Sequence, residues 1–115
     1  GGSEMLVTYP ALFYYDDSDK LKAHYFIHFP DFPELSGTQG EDSNDAMNMA
    51  IDWLGINLAD CIKNNIELPK ASKIEQLSLL NNNPFKNNTD FKMNFDFEKS
   101  FISLVTVNTE QYIQK

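Results

Sequence analysis

The segment from Ser43 to Asn65 places the tightest limit on the fold. It contains no proline and only one glycine, and its large apolar residues recur every three or four positions, at Met47, Ile51, Leu54, Leu58 and Ile62. This spacing predicts an amphipathic helix. Alanines at positions 46 and 50 flank the same stripe and let a second layer approach closely. Because such a helix cannot bury its apolar face alone, the rest of the chain must supply a sheet.

The segment also carries the signals of helix ends. Gly40 ends the preceding stretch, and Asp42 is followed three residues later by Asp45, as in a capping box. Acidic residues at the start and Lys63 near the end suit the helix dipole. These signals predict that the helix begins close to residue 43.

Strand-like runs lie on both sides of the helix. They are rich in β-branched and aromatic residues, and turns containing proline or polar residues separate them. The predicted strands are Met5–Tyr15, Ala23–Phe29, Leu35–Gln39 and Phe101–Val107. The polar turn from Asp16 to Lys20 joins the first two, which predicts a β-hairpin.

The predicted fold class is α+β, in the order β-β-β-α-β. An antiparallel meander forms the first three strands, and one main helix packs on one face of the sheet. A helical crossover commonly returns the next strand in a right-handed connection, so we expect the last strand to run parallel to the first. The opposite face of the sheet is expected to remain open to solvent or to another chain.

The connection from Ile66 to Lys99 is long and rich in asparagine. An unstructured connection of this length is unusual inside a compact domain, so part of it should pack. Its apolar residues are expected to form a turn of helix and an apolar flap: Ile74, Leu77, Leu79, Leu80 and Phe85.

Composition limits the size and the partners of the domain. The chain has 115 residues, of which 42% are hydrophobic, and this suits one compact domain. Residues 5–115 form that domain, and the sequence Gly-Gly-Ser-Glu at positions 1–4 resembles an expression scar. The formal net charge of −8 argues against a nucleic-acid surface and is compatible with a basic protein partner.

The single cysteine, Cys61, excludes an internal disulfide and a cysteine-based metal site. A reducing cytoplasm is therefore the expected compartment. No apolar run is long enough for a membrane span, so no membrane partner is expected.

Few residues suggest catalytic chemistry. His24 and His28, four apart on one strand, would lie ~13 Å from each other, too far to share a metal ion. Asp16, Asp17 and Asp19 allow a two-metal nuclease interpretation, but a solvated hairpin turn explains the same residues without any chemistry and is favoured. No Ser-His-Asp pattern and no glycine-rich phosphate loop is visible. We therefore predict no enzyme activity, no cofactor and no metal site.

The chain resembles the HicB family of bacterial antitoxins. The resemblance rests on an ordered set of short segments: Tyr9-Pro10-Ala11, Phe29–Pro33, Thr38-Gln39-Gly40, the Ala46–Leu54 helix, Glu67-Leu68-Pro69 and the closing ISLVTVNTEQY. Together these segments span most of residues 5–115.

The resemblance implies a partial RNase H-like fold and a defined partner. The partner is a small HicA-like toxin that cleaves RNA, whose active site the antitoxin blocks. Family members usually add a C-terminal DNA-binding unit, and we expect that unit to be absent from these 115 residues. We therefore expect no direct binding of nucleic acid, with operator DNA bound only through that missing unit.

The sheet face opposite the helix is the expected toxin-binding surface. Aromatic side chains at its centre and acidic side chains at its rim would form a typical protein interface. The candidate partner-binding residues are Tyr14, Tyr15, Asp16, Asp17, His24, Phe26, His28, Asp31, Phe32 and Glu34.

Two other functions fit the same sequence. One is a residual RNase H-like nuclease that depends on a metal, and the other is a non-catalytic structural or oligomerising domain of a phage or mobile element. A free edge strand could also pair with a second copy, so a homodimer is expected.

Overall fold

The computed structural model describes residues 5–18, 20–85 and 95–113. In chain order the elements are β1 (Leu6–Tyr15), β2 (Tyr25–His28), β3 (Thr38–Gly40), α1 (Ser43–Lys63), a 3-10 turn (Ile74–Gln76), β4 (Phe101–Asn108) and α2 (Glu110–Ile113). The predicted α+β class and the order of the main elements are confirmed.

The four strands form one antiparallel sheet in the order β3-β2-β1-β4. β1 and β2 pair from Leu12↔His28 to Tyr15↔Tyr25, which confirms the predicted hairpin. β4 runs antiparallel to β1, from Leu6↔Asn108 to Phe13↔Phe101. The prediction that the last strand runs parallel to the first is therefore wrong.

The path between α1 and β4 explains the reversed direction. The Tyr9 hydroxyl donates a hydrogen bond to the Pro69 carbonyl, and the Tyr14 hydroxyl donates one of 2.6 Å to the Leu79 carbonyl. The connection therefore travels along β1 before β4 begins opposite Phe13. A direct helical crossover would instead have returned the chain beside the start of β1, and β4 would then run parallel to β1. The relation to the RNase H-like fold stays a prediction.

The start of α1 has the predicted cap. The Asp42 carboxylate accepts a hydrogen bond of 2.8 Å from the backbone N–H of Asp45. The Asp45 carboxylate in turn accepts one of 2.8 Å from the Glu41 N–H. Reciprocal caps of this kind satisfy N–H groups that have no partner within the helix.

The core lies between α1 and one face of the sheet. On the helix side the fully buried residues are Ala46, Ala50, Leu54 and Leu58, and on the sheet side they include Ala11, Phe13 and Ile27. Met47 and Ile51, expected in the centre of the stripe, are only partly buried at its flank. The small alanines take the centre because they allow the helix to approach the sheet closely.

The second face of the sheet is partly covered by the chain itself. Leu12 and Tyr14 have no exposed surface. The Tyr14 ring lies 4.7 Å from that of Phe95, and the Phe26 ring lies 5.2 Å from that of Phe85, measured between centroids. The expectation of an open second face is therefore wrong around Tyr14, whereas Phe26 stays partly exposed. The cover includes residues 77–85, here called the flap, as the apolar pattern of the connection predicted. The prediction is wrong for Leu80, which is 65% exposed.

A carboxylate fixes the chain just before the flap. Asp31, which follows β2, accepts hydrogen bonds of 3.1 and 3.0 Å from the Ser72 N–H and one of 2.5 Å from the Ser72 hydroxyl. Hydrogen bonds to a charged acceptor are stronger than neutral ones. The flap is thus anchored at its beginning to the end of the hairpin.

Candidate functional site

A groove of about 790 Å³ runs beside β3, one of the two end strands of the described sheet. The loop at residues 33–37, the first turns of α1 and the tip of the flap form its walls. The lining includes three of the predicted partner-binding residues, namely Phe26, His28 and Glu34. The groove is therefore the place where the sequence-based candidates and an open concave surface coincide.

Apolar side chains form much of the groove lining. Leu35 and Met49 retain 41% and 40% of their surface exposed, and Phe26 and Phe85 lie against each other beside them. Exposed apolar groups gathered in one concave patch are typical of interaction sites. This patch can supply binding energy through burial against a partner.

Acidic side chains surround the groove. Glu34, Glu41 and Asp45 contribute to its lining. The Lys22 ammonium lies 3.6 Å from a Glu41 carboxylate oxygen, but both side chains are largely exposed, at 88% and 56%. An exposed ion pair of this kind contributes little free energy. A cation on a partner can therefore replace Lys22 at small cost.

His28 is the most buried polar side chain in the groove. It is 8% exposed, and its imidazole makes no hydrogen bond with any residue in the described ranges. Burial lowers the pKa of His28 below its ordinary value, so the ring is neutral at pH 7. A neutral imidazole offers one donor and one acceptor nitrogen to a polar group that enters the groove.

Two glycines bring the backbone next to the groove into close contact with the core. A Cβ atom at Gly37 would overlap the Ile27 carbonyl oxygen, and one at Gly40 would overlap the backbone of Ala46. Only glycine permits these approaches. The backbone around β3 is therefore held tightly against β2 and α1.

A second group of predicted residues lies at the far end of the hairpin. The Tyr15 and His24 rings stack with centroids 5.5 Å apart, and the Lys99 ammonium lies 4.9 Å above the Tyr15 ring. Asp17 is exposed beside them. Asp16 is 8% exposed, and its carboxylate accepts a hydrogen bond of 2.9 Å from the Ser18 N–H, as expected of a turn.

The remaining predicted residues make their contacts within the domain. Tyr14 is fully buried beneath Phe95, and Asp31 holds Ser72. Phe32 is 7% exposed and its ring packs edge-on to that of Tyr9 on the helix side. Direct contact with a partner is therefore not available to Tyr14 or Phe32 in this structure.

Sequence reasoning missed several residues of the groove. The sequence pattern identifies Glu41 and Asp45 only as helix-start residues, and Leu35 only as part of a strand. Met49 lies outside the main apolar stripe of α1, which is a signal that could have identified it. Phe85 was predicted to pack, but its contact with Phe26 depends on the long-range path of the flap.

No metal-binding cluster is present in the described part of the chain: no group of three or more His, Cys, Asp or Glu side chains is placed to hold an ion. Asp19, one of the three turn aspartates, lies outside the described residues. Within residues 5–18, 20–85 and 95–113, every helix is too short or too polar to cross a bilayer.

Comparison with known families gives a clear match. A family model described as the HicB-like antitoxin of bacterial toxin-antitoxin systems matches residues 8–80. The chain belongs to the HicB-like antitoxin family. The match begins in β1 and ends within the flap, so the groove lies almost wholly inside it.

A solved structure resembles this HicB-like domain closely. It is a toxin-antitoxin complex from Streptococcus pneumoniae, and its matching chain is 55% identical, with a TM-score of 0.90. The alignment covers 95% of this chain and 74% of the other. A comparison with curated proteins gives no match.

Proposed function

We propose that this HicB-like domain neutralises a small HicA-type, RNA-cleaving toxin by binding it and covering its active site. Membership of the antitoxin family and the likeness to a chain of a toxin-antitoxin complex support an antitoxin role. The observation that carries the proposal is the groove beside β3, which combines an apolar lining with acidic side chains.

The apolar and the acidic residues of the groove contribute to binding in different ways, as in other protein interfaces. Burial of Leu35, Met49 and Phe85 supplies affinity, at roughly 25 cal/mol for each Å² of apolar surface removed from water. The acidic residues attract a cationic partner and mainly raise the association rate. Since a protein that binds RNA needs positive charge, the same acids also neutralise the surface that RNA would use.

The predicted contact residues then take two roles. We assign direct contact to the accessible ones: Tyr15, Asp17, His24, Phe26, His28 and Glu34. His28 keeps only 8% of its surface exposed, and we assign its contact to the groove side. Tyr14, Asp16 and Phe32 are buried and the partly buried Asp31 binds Ser72, so these four hold the hairpin and flap in place. The hairpin end at Tyr15 and His24 forms a second, smaller part of the interface in this proposal.

Neutralisation needs no catalysis by the domain, and we propose none. The net charge of −8 opposes binding of nucleic acid by this domain. Its place of action is the cytoplasm, where the single cysteine stays reduced.

We also propose self-association through β4. This end strand has eight residues, Phe101–Asn108, and none of them is charged. Long uncharged end strands pair readily with a second copy. A Thr106→Lys variant should then remain monomeric in light scattering at concentrations where the parent dimerises, and identical masses for the two would refute this part of the proposal.

The proposal is tested by co-expression with the small protein encoded beside the gene. The domain should copurify with that protein and restore the growth that the protein suppresses. A Leu54→Asp variant, which places a charge in the core, is the control for rescue that needs the folded domain. A domain that is folded by circular dichroism but neither binds nor restores growth would refute the proposed function.

A further inference from the structure

All three residues of β3 line the groove. β3 pairs with β2 through Tyr25↔Gly40, Phe26↔Gln39 and Ile27↔Thr38, and it is the end strand of the described sheet. An end strand presents N–H and C=O groups that a further strand can pair with. Addition of an extended peptide to such an edge is a recurring mode of recognition, in which alternate side chains enter flanking pockets.

We propose that the groove receives one extended, cationic segment of the toxin, which pairs with β3 as a fifth strand and directs a Lys or Arg side chain to Glu34 and Glu41. This inference rests on the proposed function, since it specifies how the toxin is held.

The size of the groove favours an extended segment over a helix. A helix ~10 Å across would fill a volume of about 790 Å³ within two turns. An extended segment rises ~3.3 Å per residue and can follow the strand edge beyond the groove. Gly37 and Gly40 fix the backbone of this edge against β2 and α1, so little ordering is required when the segment binds.

The acidic residues around the groove favour a cationic partner. Glu34, Glu41 and Asp45 face the same space, whereas Lys22 is bound to Glu41 only through an exposed contact. A second copy of this chain would bring a net charge of −8 to an acidic edge, and repulsion would oppose it. A segment with Lys or Arg replaces Lys22 and gains the attraction of the remaining carboxylates.

His28 supplies a polar contact inside the groove. It is nine-tenths buried, and its ring has no partner among the described residues. On the second face of the sheet it lies beside Leu12, its pairing partner in β1. No fully buried side-chain nitrogen or oxygen of the described residues lacks a partner, so the ring nitrogens of His28 still reach solvent. A polar group of the bound segment can therefore hydrogen-bond to the ring in place of water.

Paired charge reversals test the inference. The toxin encoded beside the gene, inactivated in its catalytic residue, is titrated with the parent domain and with two double variants. Glu34→Lys with Glu41→Lys reverses the charge beside the groove. Glu67→Lys with Glu75→Lys makes the same change in net charge at exposed positions outside it and serves as the matched control.

The groove variant should weaken binding at least tenfold relative to the control variant, and high salt should reduce the difference. Hydrogen exchange of the parent complex provides a measurement that does not depend on how the variants fold. At least one amide within residues 38–40 should exchange ten times more slowly in the complex than in the free domain.

The outcomes separate this inference from the function on which it rests. If the parent binds the toxin, unchanged exchange at residues 38–40 overturns the strand pairing, and equal binding of the two variants overturns the assignment of a cation to Glu34 and Glu41. Either result leaves the antitoxin function standing. If the folded parent does not bind the toxin, the proposed function and the inference both fail.

Discussion

Substitution of Gly55 tests the packing of α2 on α1. Whether the substitution raises or lowers the free energy of unfolding depends on Tyr112. It lies buried in α1, and a Cβ atom there would overlap the ring of Tyr112 in α2. In an exposed helix interior, alanine stabilises by ~1 kcal/mol relative to glycine. The overlap opposes this gain in the native chain.

The size of the opposing effect is limited by the contribution of Tyr112. Truncation of a fully buried aromatic residue costs about 3–5 kcal/mol, and Tyr112 is only partly buried, so we take about 2 kcal/mol as the cost of displacing its ring. Gly55→Ala should then destabilise the parent by about 1 kcal/mol, which lowers Tm by roughly 4 °C. In a Tyr112→Ala background the same change should stabilise by about 1 kcal/mol.

Denaturant unfolding of the four proteins in this cycle measures the coupling. Tyr112→Phe is the matched control, because it keeps the ring and removes only the hydrogen bond of 3.2 Å that the hydroxyl donates to Asp52. Gly55→Ala should remain destabilising in that background. A stabilising effect of Gly55→Ala in the parent chain would refute the placement of α2 on α1.

Three further predictions follow from buried groups. Leu54→Ala should reduce the free energy of unfolding by about 2–5 kcal/mol in urea titrations, since Leu54 is fully buried, and a loss below 1 kcal/mol would contradict its place in the core. Tyr14→Phe should cost about 1 kcal/mol by removing the hydrogen bond to Leu79, and unchanged stability would show that this bond contributes nothing. Burial lowers the pKa of His28, so the unfolded chain binds its proton first as the pH falls. The free energy of unfolding should therefore fall as the pH drops below 6.5. An equally steep fall between pH 6.5 and 5 in a His28→Leu variant would contradict this.

Local signals were enough to predict the helix and the hairpin. Asp42 and Asp45 marked the start of α1, and the polar turn after Tyr15 marked the reversal between β1 and β2. Both features depend on residues close together in the chain. The apolar periodicity of α1 likewise identified the face that packs on the sheet, although it did not rank Ala46 and Ala50 above Met47.

The direction of β4 and the cover over Tyr14 could not be predicted in the same way. They depend on the course of a long connection with weak periodicity, and the contact between Tyr14 and Phe95 joins residues that are far apart in the sequence. Alternation along β1 predicted that some of its aromatic residues lie on the second face, as Tyr14 does. It could not show that a later segment of the same chain lies on that face.

The pairing of β1 with β4 delays folding of the domain during its synthesis. Thr8 and Thr106, joined through their hydroxyl groups, are 98 residues apart in sequence. Sheets that depend on such distant pairings fold slowly, and their central strand can be completed only when the last one is available. During synthesis at ~5–20 residues per second, β1 therefore waits several seconds with one edge unpaired. If the domain neutralises a toxin as proposed, a cell is protected by the copies it has already finished, while those still on the ribosome remain exposed to proteases.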